Sequence, residues 1–218
     1  HPRINGYFEM HISYDDARAL NQQLKAFLEH ETLKENSQYL FDKLLHNEYR
    51  LDIDRLGSVD VRILVSLLEP KRALKSIVDL FARKGADALY ADPVEAAGYY
   101  TERVEWLADF CRSVRQPYDY YDAELFQAAP DRLLSKLTQW LQLDTPLSDR
   151  YQLFSQTGKA RKGDSSRSIY SGRIEKARTD YSHIQIPEEA LQRACEAYRD
   201  CRATIMDHAA DAVVVPAG

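Results

Sequence analysis

Residues 61–76, "VRILVSLLEPKRALKS", constrain the fold more than any other stretch of this chain. Val61 to Leu68 form a β-branched apolar run with no alternation, which fits a strand buried on both faces, as in a parallel sheet. Pro70 then suits the first turn of a helix, where its missing N–H costs nothing. Leu74, Ile77, Val78 and Phe81 recur at helical spacing until Gly85. A strand, a tight turn and a helix in this order set a helix N-terminus beside the carboxyl end of a strand, a place that favours anions. The expected class is α/β, a parallel sheet flanked by helices in a helix-rich chain.

Leu20, Leu24, Phe27 and Leu28 make one amphipathic stripe, and Leu40, Phe41, Leu44 and Leu45 suggest a second helix. "DPVEAAGYYTERVEWLADFCRSV" reads as a helix with Asp92 as N-cap, Pro93 in the first turn and Glu95 completing a capping box. "YDYYDAELF" predicts a second short strand, and "APDRLLSKLTQWLQL" another helix. "IPEEALQRACEAYRDCRATIMDHA" predicts a C-terminal helix from Pro187, and "VVVPAG" a frayed tail. The opening "HPRINGYFEMHI" reads as a turn at Asn5-Gly6 followed by a short aromatic stretch. With no repeat and no linker, the economical expectation is one domain over 1–218. Within it lie an acceptor or base segment (1–14), the strand-turn-helix (61–84), a basic loop (157–178) and the C-terminal helix (187–209).

Charge is spread unevenly. Between 159 and 178, Lys159, Arg161, Lys162, Arg167, Arg173, Lys176 and Arg178 face only Asp164 and Glu175, a local +5 in a chain whose net charge is −5. An acidic total argues against a nucleic-acid partner, and a basic focus within it suits a small anionic ligand. No apolar run is long enough to span a bilayer, so no membrane partner is expected. Cys111, Cys195 and Cys201 read as reduced thiols, which favours a cytoplasmic setting.

Three stretches could carry chemistry. "EPKRALKS" offers Ser76 with Lys71, Arg72 and Lys75 near a helix start, a set able to hold a phosphate. "RKGD" offers Arg161, Lys162 and Gly163, two cations and a glycine whose backbone can approach an anion closely. "NGYFEMHISY" places Glu9 among Tyr7, Phe8 and Met10, where partial desolvation favours a general base, with His11 as the other titratable group. His30, His46, His183 and His208 have no metal-ligand spacing, so no metal is expected, and no Walker-type glycine loop is present.

In order and interval these stretches resemble the sulfotransferases that use 3′-phosphoadenylyl sulfate (PAPS). "VSLLEPKRALKSIV" is similar to the family's 3′-phosphate segment, Arg-x-Pro with a Ser six residues after the Pro. Pro70 and Ser76 keep that spacing, and Leu68 stands in the Arg place. "TGKARKGDSSRSIYSGRI" resembles the bacterial branches, which read Thr-Gly-Lys, then Gly-Asp-x-Ser, then Ser-Gly-x-Ile. The resemblance covers nearly the whole chain. It implies a P-loop-like sulfotransferase fold in which Ser76, Arg161, Lys162 and Gly163 hold the 3′-phosphate, with Arg72 a partial substitute for the missing Arg. It gives Glu9 the proton-accepting role toward a hydroxyl or amine of a small-molecule or carbohydrate acceptor. The family's 5′-phosphosulfate loop would lie before His1, so the expectation is an N-terminally truncated domain.

Two other readings stay open. A P-loop nucleotide kinase or phosphotransferase would need Mg²⁺ and an acidic ligand at a strand end. A nonenzymatic interaction module of degenerate sulfotransferase type would fit Leu68 and the missing loop.

Overall fold

In chain order the elements are β1 (Ile4–Asn5), α1 (Arg18–Leu28), β2 (Tyr39–Leu40), β3 (Ile63–Leu67), α2 (Pro70–Ala82), α3 (Pro93–Ser113), β4 (Tyr118–Asp122), α4 (Leu125–Ala128), α5 (Pro130–Trp140), α6 (Glu188–His208) and β5 (Asp211–Val213). They come from a computed structural model that describes residues 1–85, 87–159, 161–163, 167–175 and 180–216. The architecture is α/β and helix-rich, with small parallel sheets flanked by helices. Packing divides the chain into two compact units. The first is His1–Arg62 with Phe126–Ala177, and the second is Ile63–Leu125 with Arg178–Gly218.

The second unit is built on a three-stranded sheet of order β3-β4-β5 in which both pairings are parallel. Ile63, Val65 and Leu67 are buried, while Leu64 is half-buried and Ser66 exposed. The strand is therefore half-covered, and the expectation of burial on both faces is corrected. The polar Ser66 had interrupted the apolar run, and its face is the one left open. The reading of "VVVPAG" as a frayed tail is corrected only at its start. Asp119, Tyr120 and Tyr121 pair with Asp211, Ala212 and Val213, so Val213 belongs to a third strand, and the Val215 N–H beyond it is held by Asp122.

Helices follow their caps. Glu69 is the N-cap of α2, its carboxylate accepting from the Lys71 N–H at 3.2 Å, with Pro70 in the first turn as expected. Asp92 caps α3 by accepting from the Val94 and Glu95 N–H groups. α3 and α6 bury mostly small side chains, Ala96, Ala97, Ala108 and Cys111 on one and Ala190, Ala194 and Cys201 on the other. Small residues let two helix backbones approach closely, and this pair makes the most extensive helix contact described. Burial pushes the Cys111 thiol up to about 11 and the Cys201 thiol up to about 12, so both are inert core groups. All three cysteines are free.

At the carboxyl end of β4, Asp122 is 2% exposed and fully engaged. Arg202 of α6 grips it with two N–H groups at 2.9 and 3.0 Å, the Tyr120 hydroxyl donates at 2.5 Å, and the Val215 N–H donates at 2.8 Å. One carboxylate thereby ties the central strand, the C-terminal helix and the chain beyond β5. Burial alone would push this carboxyl up, but the bonds from Arg202, Tyr120 and Val215 outweigh it and hold it below its ordinary value.

The first unit centres on Phe8, Met10, Ile12, Tyr14, Ala19, Phe27 and Leu56, with Leu40 and Leu44 packed against them. α1 supplies Ala19 and Phe27; of the expected stripe only Phe27 is buried, Leu20 is half-buried, and Leu24 and Leu28 are exposed. The helix expected at Leu40, Phe41, Leu44 and Leu45 does not form, and this is a third correction. β2 pairs in parallel with β1, Ile4 with Tyr39 and Asn5 with Leu40, and the Phe41 N–H continues the ladder to the Asn5 carbonyl at 2.8 Å. Ladder partners supplied by β1 replace those a helix would have offered. Gly6, at φ +82°, permits this approach, since a Cβ there would fall 2.0 Å from the Phe41 oxygen.

Because the Asp122 carboxyl sits below its ordinary value near 3.8 in the folded chain, its contribution is present above that value and fades as acid protonates it. Asp122→Ala should lower unfolding stability by about 3 kcal/mol at neutral pH, leaving the Arg202 charge poorly matched. Urea titrations at pH 7 and pH 3 check this, and the difference between variant and parent should shrink at the lower pH.

Candidate functional site

Phe8, Met10, Ile12 and Tyr14 alternate into the core of the first unit. Between them Glu9 and His11, the latter with left-handed backbone at φ 57°, meet other segments of the unit. Glu9 is 7% exposed, because other segments cover it. The Lys43 ammonium lies 3.4 Å from the Glu9 Oε1. The Glu9 N–H donates to the Lys162 carbonyl at 3.4 Å, and the His11 Nε2 lies 2.6 Å from the Arg161 carbonyl oxygen. The Lys162 ammonium sits 5.1 Å from the centre of the Phe8 ring, a cation–π distance.

Gly163 completes the arrangement. A Cβ there would lie 3.2 Å from the Lys43 Nζ and 3.7 Å from the Glu9 Oε1, and its φ of +119° also favours glycine. The backbone of the 161–163 loop thus passes directly over the Glu9–Lys43 pair. Arg161 is exposed, so the loop carries a cation outward and lays its carbonyls inward. Lys43, Lys162 and Arg161 gather three cations at this place, beside the Glu9 carboxylate and a glycine that lets the loop backbone approach the Lys43 ammonium closely.

Asp42 holds the two strands of this site together. Its Oδ1 accepts from the Met10 N–H at 3.0 Å and the Lys43 N–H at 2.7 Å, and its Oδ2 accepts from the Tyr14 hydroxyl at 2.7 Å. Burial pushes this carboxyl up, and the hydrogen bonds offset only part of the shift. On the far side, the His11, His46 and Tyr49 rings cluster with centroids 5.4 to 6.4 Å apart.

Of the residues singled out in the sequence, the first unit brings together Glu9, His11, Arg161, Lys162 and Gly163. Arg72 and Ser76 are on α2 of the second unit, both half-buried, with Ser76 two turns from the helix start. The start itself is taken by the Glu69 carboxylate, while the Glu69 N–H donates to Glu124 at 2.8 Å and the Leu68 carbonyl accepts from the Tyr100 hydroxyl at 2.7 Å. Asp164, Ser165, Ser166, Lys176 and Arg178 of the basic loop lie outside the described residues. Tyr100, Tyr118 and Tyr120 are core residues of the second unit, with hydroxyls bonded to Leu68, Ile205 and Asp122.

No family model matches this chain, and searches of curated proteins and of solved structures return no match. Among the described residues no group of three or more His, Cys, Asp and Glu side chains is arranged to hold a metal ion, and no helix is long and apolar enough to cross a membrane.

Sequence reasoning missed Lys43 and Asp42 because it assigned their stretch to a helix. The signal was the alternation "FEMHISY", which marks an extended segment whose polar face needs partners. Lys43→Met should destabilise the protein by about 1 kcal/mol, since Glu9 loses its cation while Lys43 itself keeps some solvent. In a double-mutant cycle with Glu9→Gln, urea unfolding should return a favourable coupling of about 0.5–1 kcal/mol.

Proposed function

We propose that the Arg161–Gly163 loop holds a phosphate of an adenine nucleotide, and that the chain is a PAPS-dependent sulfotransferase or most of one. The observation that carries this reading is the meeting of the Glu9–His11 segment with a loop 150 residues away, through the His11–Arg161 and Glu9–Lys162 contacts. The same two segments carry the base and the phosphate ligands in the family that the sequence resembles. The parallel strand-turn-helix from β3 to α2 supports the P-loop-like sulfotransferase fold that goes with the reading.

PAPS supplies an activated sulfuryl group on a bisphosphate leaving group. On this reading Glu9 accepts the proton of a hydroxyl or amine on a small-molecule or carbohydrate acceptor, and Lys43 balances charge beside it. Arg161 and Lys162 grip phosphate oxygens through charge-assisted hydrogen bonds, and Gly163 admits the close backbone approach. The reading needs no metal, and it carries a cytoplasmic setting with it.

A second reading, a nonenzymatic nucleotide-binding or interaction module, is favoured by one observation. The α2 N-terminus, where the family binds phosphate, is already capped by the Glu69 carboxylate.

Adenosine 3′,5′-bisphosphate at a hundred times its dissociation constant should stabilise the protein by about 2.7 kcal/mol, read as a rise in unfolding temperature. Arg161→Ala with Lys162→Ala should remove that rise. No shift with the parent protein would sink the nucleotide site. Binding without Glu9-dependent transfer from labelled PAPS to a panel of phenols, sugars and amines would leave the second reading standing.

A further inference from the structure

His11 and Arg161 are two of the four non-glycine residues described with positive φ, at 57° and 61°. Left-handed backbone is uncommon outside glycine, although His tolerates it better than most, and it persists where surrounding contacts enforce it. Here the two residues enforce each other, joined by the 2.6 Å contact from the His11 ring to the Arg161 carbonyl.

The chemistry of that contact is one-sided. A backbone carbonyl oxygen can only accept a hydrogen bond, so the His11 Nε2 must be the donor and must carry a hydrogen. A nitrogen already protonated and engaged cannot take a proton from an acceptor. We propose that His11 is the pin that holds the 161–163 loop on the Glu9 segment, with its proton fixed on Nε2, and that this nitrogen positions the loop and does not act as a base. Its partner bond, from the Glu9 N–H to the Lys162 carbonyl, is longer at 3.4 Å and depends on the pin for its alignment. In a trans peptide the N–H points opposite to the carbonyl, so turning the Lys162 carbonyl toward Glu9 turns the Gly163 N–H outward. The pin thereby sets which backbone donor the loop presents. Its effect on nucleotide binding rests on the function proposed above, whereas its tautomer and its hold on the loop do not.

The wild-type chain, labelled with ¹⁵N, gives the first arm of the test, since long-range ¹H–¹⁵N spectra distinguish the two tautomers. A hydrogen on Nε2 is expected, and a neutral ring with its hydrogen on Nδ1 would overturn the proposal. The second arm is amide exchange at Glu9 in three variants. His11→Gln keeps a donor near the Nε2 position, His11→Asn keeps tolerance of left-handed backbone but cannot reach, and His11→Ala loses both. Exchange should quicken about three- to tenfold in the Ala and Asn variants, and His11→Gln should stay within about twofold of the parent. Equal exchange in the Gln and Ala variants would overturn the pin. Bisphosphate titrations of the same proteins form the third arm. If the parent binds, affinity should follow the exchange ranking, and binding unaffected by His11→Ala would refute the positioning role. If the parent does not bind, the function reading fails and the first two arms alone decide the pin.

Discussion

The first unit depends on how the segment from Phe8 to Tyr14 is held without belonging to a regular strand. Its apolar side chains are anchored by the core, but its backbone also needs hydrogen-bond partners, and a burial without them would cost more than the packing returns. Asp42 meets that need from the side chain, binding one N–H on the segment, one N–H on its own stretch and the hydroxyl of Tyr14. By joining those stretches it fixes the separation between Glu9 and Lys43. The chemistry proposed for the unit is therefore a by-product of how a core segment was made to satisfy its backbone.

Two aspartates, Asp122 buried and Asp42 half-buried, organise the two units, and they do so in opposite electrostatic ways. Asp122 faces Arg202 with two hydrogen bonds, so its charge is matched and its carboxyl lies low. The donors described for Asp42, the Met10 and Lys43 amides and the Tyr14 hydroxyl, are all neutral, so burial dominates and its carboxyl lies high. The difference follows from position. Asp122 is reached by a long guanidinium from α6, whereas Asp42 is met by a tyrosine hydroxyl and two backbone amides.

The strand at 63–67, the helix from Pro70, the Asp92 cap and the C-terminal helix were legible because each carries a local signal that needs no partner to be read. The structure overruled the sequence where a distant segment decided the outcome. Leu40 and Leu44 have helical spacing, yet Ile4 and Asn5 offered ladder bonds first. Val213, the first residue of the expected frayed tail, closes the short strand 211–213, because β4 offers it an edge to pair with. In the candidate site, Glu9, His11 and the Arg161–Gly163 loop could be named from residue type and order. Lys43 could not, since its importance lies in proximity to a residue far away in sequence.

Each unit is assembled from two stretches of chain, and the stretches interleave. The first unit waits for residues 126–177 before its core segment is covered, and the second waits for 178–218 before β4 gains its last neighbour. Closing such long loops delays the contacts that reward them, so neither unit can form from one continuous stretch of chain. Until β5 arrives, the Tyr118–Asp122 strand presents one unpaired edge, open to pairing with another chain.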